Sequence, residues 1–290
     1  MKNEERVLLA SDLHLCHKDP YGVPADVRMQ YFVDDVKAEY EKDPFTALLL
    51  LGDYSLDFWQ WGIKGSFLTE GLSNTAVFVR DYLSQLQKLP VKICMIAGNH
   101  EQYGPENWKR ITGYTRQDVC VCGDFVFVLA DTYADGFDPT EHGDGIYTGV
   151  ADTAFLTRVA DRYPDKKIIL SAHYLDLHTK IEQTHTVLYD MIRSGRIVCA
   201  VAGHTHNCDI WTYPEYGDFH VLFTGTWFLN EKKPYDPMWG FREMRLTNDR
   251  IVSRYITPAH TVPKDGAPCL FPYATRDEIV IDLSGKEGKE

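Results

Sequence analysis

Short apolar runs alternate with longer stretches of helical periodicity through the first hundred residues. Residues 7–10, 47–51 and 91–97 are too short for helices and have the length and apolar character of buried parallel strands. Between the first two, residues 24–42 set Met29, Phe32, Val33, Val36 and Tyr40 on one helical face and Asp34, Asp35, Lys37 and Glu41 on the other. Leu72, Ala76, Val79, Leu83 and Leu86 repeat that spacing until Pro90 stops the helix. Strand, helix, strand, helix, strand predicts a parallel sheet with right-handed crossovers.

The pattern continues with more strand. Residues 119–122 and 125–130 flank Gly123-Asp124, a hairpin signal. A Gly/Asp-rich loop over 131–149 is long enough to suggest a functional role. A helix is expected over 152–163, a strand over 167–170, a short helix over 184–194 and a strand over 197–202. Residues 208–258 alternate apolar and polar positions, with a turn at Asn248-Asp249, and predict antiparallel strands. The domain is therefore expected to span residues 1–258. Residues 259–290, with several prolines and a charged end, are expected to form a partly ordered tail.

Composition narrows the picture. The chain has 290 residues, 44% of them hydrophobic and 25% charged, which suits an ordinary globular protein with ample core. Its formal charge of −12 opposes a general nucleic-acid binder. If the substrate is an anion, something other than net charge must attract it, and a bound metal is the natural choice. The seven cysteines are odd in number, and Cys94, Cys120, Cys122 and Cys199 lie in apolar strand-like runs. Reduced, buried thiols fit better than a disulfide framework. The charged N-terminus has no apolar targeting region, and no run approaches the roughly 18 residues that span a bilayer. The expectation is a cytoplasmic chain without a membrane partner.

The candidate chemistry lies at strand ends. Asp12 and His14, then Asp53, then Asn99 and His100, then His173, then His204 and His206 each follow an apolar run. In an open parallel sheet those ends share one edge, outside which ligands bind. Taken singly, Asp-x-His is a common loop start, Asp53 can cap a turn, and His173 can be a hydrogen-bonded core histidine. Together, imidazole, carboxylate and amide groups at five successive strand ends form a donor set for divalent transition ions. Their number exceeds one ion's needs and suits two metals about 3.5–4 Å apart that share a carboxylate.

Asp12-Leu13-His14, Gly52-Asp53, Gly98-Asn99-His100-Glu101, His173 and Gly203-His204-Thr205-His206 resemble the five signature blocks of the calcineurin-like metallophosphoesterases. The likeness covers roughly residues 6–258 and is specific for the superfamily rather than for any member. It implies a four-layer α/β sandwich, two mixed sheets flanked by helices. It further implies that Asp12, His14 and His206 hold one metal, that Asn99, His173 and His204 hold the other, and that Asp53 bridges them. His100 would be catalytic and not a ligand, stabilising charge or protonating the leaving oxygen. Glu101 either orients His100 or faces solvent.

The implied activity is hydrolysis of phosphate mono- or diesters by attack of a metal-activated water, with two divalent ions from among Mn, Fe and Zn. A phosphorylated small molecule or a phosphoprotein is the expected substrate. A non-catalytic scaffold of the same fold and a nuclease are the alternatives. Tyr54, Tyr103 and Tyr174 are candidates for contacting substrate, and His17, Tyr21, the 54–61 segment, His178, Trp227 and Phe228 for lining the pocket. His142 and His185 match no block and are expected at the surface or in structural roles. The sequence departs from the common Gly-Asp-x-x-Asp pattern: Asp57 lies one residue further from Asp53, which leaves its role open.

Overall fold

The apolar runs become strands of two six-stranded sheets in a computed structural model that describes residues 4–16, 24–58, 73–134, 145–227, 240–257 and 274–284. In the first sheet β1 (Glu5–Ala10), β2 (Ala47–Leu50) and β3 (Lys92–Met95) run parallel. The second contains β4 (Asp118–Cys122), β5 (Phe125–Ala130), β6 (Lys167–Ala172), β7 (Ile197–Ala202), β8 (Ile210–Tyr213) and β9 (Phe219–Phe223). Its order is β4-β5-β6-β7-β9-β8, parallel from β5 through β7 to β9 and antiparallel at both edges. β10 (Phe241–Thr247), β11 (Arg250–Thr257) and β12 (Ala274–Asp282) complete the first sheet, in the order β12-β11-β10-β1-β2-β3.

Strand alternation builds the layers. On β1, Leu8 and Ala10 pack with Phe32, Val33 and Val36 of helix Ala25–Lys42, whereas Val7 and Leu9 pack with Phe127, Ile169 and Val201 of the second sheet. On β5, Phe125, Phe127 and Leu129 face that same core, and Val126 and Val128 face Leu156 and Leu188 of the outer helices Thr153–Arg162 and Thr186–Arg193. Strands covered on both faces read as unbroken apolar runs. The result is the expected four-layer α/β sandwich of two mixed sheets.

Three expectations are corrected and one is refined. Residues 208–258 do form the antiparallel pairs β8–β9 and β10–β11, but in two sheets: β8 and β9 finish the second, with β9 parallel to β7, while β10 and β11 return to the first. Period-two patterning marks a strand but does not name its neighbour. The domain also continues past residue 258, because β12 pairs with β11 over Arg250↔Asp282 to Thr257↔Ala274. The second long helix runs through Asn74–Val77, a π-helical stretch Phe78–Leu83, and Ser84–Leu86. The wider turn aligns Phe78, not Val79, with Leu83 on the buried face. In helix Ala25–Lys42, Asp35 is buried instead of facing solvent.

Most of the 131–149 loop, with His142, lies outside the described residues, as do His17, Tyr21, Trp59, Trp61 and Phe228. Among the described residues, no helix is long and apolar enough to cross a membrane. Cys16, Cys94, Cys120, Cys122, Cys199 and Cys208 are buried.

Candidate metal centre

The predicted strand ends meet in one place, but they come from two sheets. β1, β2 and β3 deliver Asp12, His14, Asp53, Asn99 and His100; β6 and β7 deliver His173, His204 and His206. The carboxyl edges of the two sheets border the same centre. Each chain leaves its strand through a tight turn. Six described non-glycine residues have φ in the left-handed region, and five are Asp12 (57°), His14 (52°), Asp53 (55°), His204 (67°) and His206 (56°). Such a conformation costs on the order of 1 kcal/mol and persists where surrounding contacts over-determine it.

Those contacts are present. Asp12 N–H donates to Gly52 O (3.0 Å), and the N–H groups of Leu13 and His14 donate to Asp53 O (2.8 and 3.0 Å). Buried Arg28 donates to Leu13 O (2.9 Å) and His14 O (3.1 Å) from the adjacent helix. Each carboxylate uses one oxygen for this frame. Asp12 Oδ2 accepts from His204 N–H (2.9 Å) and from the Ser11 hydroxyl; Asp53 Oδ1 accepts from His100 N–H (3.0 Å).

The other oxygen of each carboxylate, Asp12 Oδ1 and Asp53 Oδ2, is buried and accepts no hydrogen bond from any described residue. Imidazole nitrogens surround both. Nε2 of His206 and His14 lie 3.2 and 3.8 Å from Asp12 Oδ1, and Nε2 of His173, His14 and His100 lie 3.2, 3.7 and 3.8 Å from Asp53 Oδ2. Asn99 Oδ1 is 2.8 Å from His173 Nε2 and 2.9 Å from His204 Nδ1. Ligand atoms about 2.1 Å from a common ion lie roughly 3–3.4 Å apart, so several of these separations match edges of a coordination shell. Donor atoms of Asp12, His14 and His206 form one group and those of Asp53, His173 and His204 another, with a third of His14, Asp53 and His100 between them. The donor set and the unbonded carboxylate oxygens fit two divalent ions.

His173 shows the fit most clearly. Its Nδ1 is 2.7 Å from Leu51 O, an acceptor, which orients the ring. Its Nε2 then faces two more acceptors, Asn99 Oδ1 and Asp53 Oδ2. A neutral ring has only one N–H, so with the Asn99 oxygen turned to it this arrangement suits an imidazolium or a cation. Burial works against the charged ring, but Asp53 outweighs it and raises His173 to about 9. Burial holds His14 and His204 down at about 4, keeping them neutral, as ligands must be. Burial also opposes ionisation of Asp12 and Asp53, yet His206 beside the former and His173 beside the latter keep both carboxyls below their ordinary value.

Other candidates resolve differently. Tyr54 is fully buried: its hydroxyl lies 2.6 Å from Leu50 O and 2.7 Å from Ile96 O, and its ring stacks on Phe78 at 5.3 Å. Tyr103 is buried with its hydroxyl on Asp57 and Ser73. Both rings are buried and both hydroxyls are engaged inside the protein, whereas the expectation was contact with substrate. Tyr174 is half-buried, its ring 4.9 Å from that of His204. Trp227 is core, 5.2 Å from Phe32, and His185 bonds Val150 O at 2.7 Å.

Glu101 neither orients the His100 ring nor faces solvent, because its carboxylate is spent on backbone N–H groups of neighbouring turns. Asp57 anchors the start of the second helix, accepting from Asn74 N–H (2.9 Å), Thr75 N–H (3.0 Å) and Ser73 Oγ (2.9 Å). Sequence reasoning missed Tyr133, whose hydroxyl is 3.3 Å from His204 Nε2, and Tyr147, whose ring lies 5.0 Å from Tyr174. Both belong to the 131–149 loop that its length had marked.

No curated protein sequence matches this chain. Solved structures with a similar fold include Vps29 from Cryptosporidium parvum (14% identity, 95% of this chain and 98% of that one, TM-score 0.40). The purple acid phosphatase PPD1 of yellow lupin, Lupinus luteus, shares 14% identity over 95% of this chain and 54% of its own, with TM-score 0.47, so this chain spans about half of it. GAP50 of Plasmodium shares 12% identity over 91% of each chain, with TM-score 0.49. The family model of the calcineurin-like phosphoesterases matches residues 5–208, the span that carries every residue of the centre, and the chain belongs to that family.

Proposed function

We propose that this chain hydrolyses phosphate mono- or diesters with two divalent transition ions. Asp12, His14 and His206 would hold one, Asn99, His173 and His204 the other, and Asp53 would reach both through Oδ2. The observation that carries this reading is the pair of buried, unbonded carboxylate oxygens, Asp12 Oδ1 and Asp53 Oδ2, each ringed by imidazole nitrogens. When bound, such a pair of ions supplies an acidified water near neutral pH and positive charge for phosphoryl oxygens.

The chain's own residues do the rest. The backbone turns preset the ligands, so little reorganisation accompanies substrate binding. His100 is 7% exposed, with Nε2 beside Asp53 Oδ2 and its ring 5.6 Å from that of His14. That position suits a donor to the leaving oxygen. Tyr174, half-buried next to His204, is the predicted tyrosine left to touch the ester. A phosphorylated small molecule or phosphoprotein fits better than nucleic acid, given the net charge of −12. The buried free thiols of Cys94, Cys120 and Cys122 support a reducing compartment, consistent with cytoplasm.

A panel of aryl phosphate mono- and diesters, run with Mn, Fe and Zn and with a chelator, tests the proposal. Turnover that needs metal and disappears in Asp53→Asn is expected. A metal-replete protein inert on the whole panel would favour a scaffold, and steeply salt-dependent DNA binding would favour a nuclease.

A further inference from the structure

We propose that Glu101 is a positioning residue that holds Asp53 in the conformation a shared ligand needs, before any metal arrives; the proposal rests on the two-ion reading above. Asp53 has φ 55°, a conformation that must be enforced. Glu101 is fully buried and lies on the next strand-end turn. Its Oε2 accepts the N–H of Asp53 (2.8 Å) and of Gly98 (2.9 Å). Its Oε1 accepts the N–H of Ser55 (3.0 Å) and the Ser55 hydroxyl (3.3 Å). One carboxylate therefore ties the turn after β2 to the turn after β3.

Other contacts hold Asp53 from its remaining sides. Its carbonyl accepts the N–H groups of Leu13 and His14, and its Oδ1 accepts His100 N–H. With N–H, C=O and Oδ1 all committed, Oδ2 is the oxygen left to face the imidazoles. The two turns approach closely because glycine occupies the contact. A Cβ on Gly98 would fall 2.1 Å from Asp53 Oδ1, and one on Gly52 would fall 2.7 Å from Gly98 Cα. Glycine permits that approach, and Glu101 fastens it. Only a carboxylate presents acceptors alone at both oxygens; an amide in its place would turn an NH₂ toward backbone donors.

Manganese titration of metal-stripped wild type, Glu101→Gln and Glu101→Asp, followed by electron paramagnetic resonance, counts the ions and reports whether two are magnetically coupled. Wild type should take up a coupled pair. Glu101→Gln should keep the ion at Asp12, His14 and His206, lose affinity for the second by about 10- to 100-fold, and lose the coupled signal. Glu101→Asp retains the charge but is one methylene short, and should fall between; it decides the matter if the glutamine variant does not fold. A wild type without a coupled pair sinks the two-ion reading. A coupled pair of wild-type affinity in Glu101→Gln sinks the role of Glu101 alone. So does equal weakening of both ions together with a lowered melting temperature, the signature of a purely structural residue.

Discussion

Replacing Asp53 by Asn in metal-stripped protein probes the charge balance at the middle of the centre. Asp53 Oδ2 is 3.2 Å from His173 Nε2, and both groups are buried. At an effective dielectric near 20, opposite unit charges at that separation attract by about 5 kcal/mol. Raising His173 from 6.5 to about 9 requires about 3.4 kcal/mol, so burial returns the balance. A histidine raised on folding stabilises fully below its unfolded value of 6.5, and that stability declines as pH climbs through about 9.

Urea unfolding of stripped wild type should therefore show a loss of about 3 kcal/mol or more between pH 6.5 and 9.5. Asp53→Asn should remove most of that slope, and its His173 resonances should be those of a neutral ring at pH 7. The amide keeps the oxygen that accepts His100 N–H, so the turn itself should survive. Identical slopes in the two proteins, or a neutral His173 in stripped wild type at pH 7, would refute the reasoning.

Because His173 must lose that proton to bind an ion, calorimetry in two buffers of different ionisation enthalpy should reveal proton release on metal binding at pH 7, and affinity should rise with pH up to about 9; uptake without proton release contradicts this. His100→Ala should keep both ions but lose turnover by about 10²–10⁴-fold, whereas Asn99→Ala should weaken one ion; equal metal loss in both variants would erase the distinction between their roles. Burial opposes the charge on Glu243, yet Arg254 and Arg6 outweigh it and hold its carboxyl below the ordinary value. Glu243→Gln should thus cost about 3 kcal/mol at neutral pH, where the buried pairs are intact. That difference should shrink as acid protonates wild-type Glu243 below its ordinary range near 4.3, and denaturant midpoints that differ equally at low and neutral pH would argue against it.

Most strands, their order and the clustered donors were readable along the chain because each depends on local facts. A strand buried on both faces is an apolar run, and a residue after such a run lies at a sheet edge. Asp12, His14, Asp53, Asn99, His173, His204 and His206 all satisfy that rule, so their convergence needed no knowledge of loops. What required three dimensions is everything set by a partner far away in the chain. Patterning did not reveal that the five edges belong to two facing sheets, that β9 lies beside β7, or that residues 274–282 close the first sheet on β11. Nor could it separate a tyrosine buried on backbone carbonyls, Tyr54, from one beside an imidazole, Tyr174, since both follow a strand. Glu101 looked like a neighbour of His100. Folding brought it instead against the N–H groups of Asp53 and Ser55, more than forty positions away along the chain, because an acceptor of two oxygens and a crowded turn of unsatisfied donors meet only once the sheet has formed.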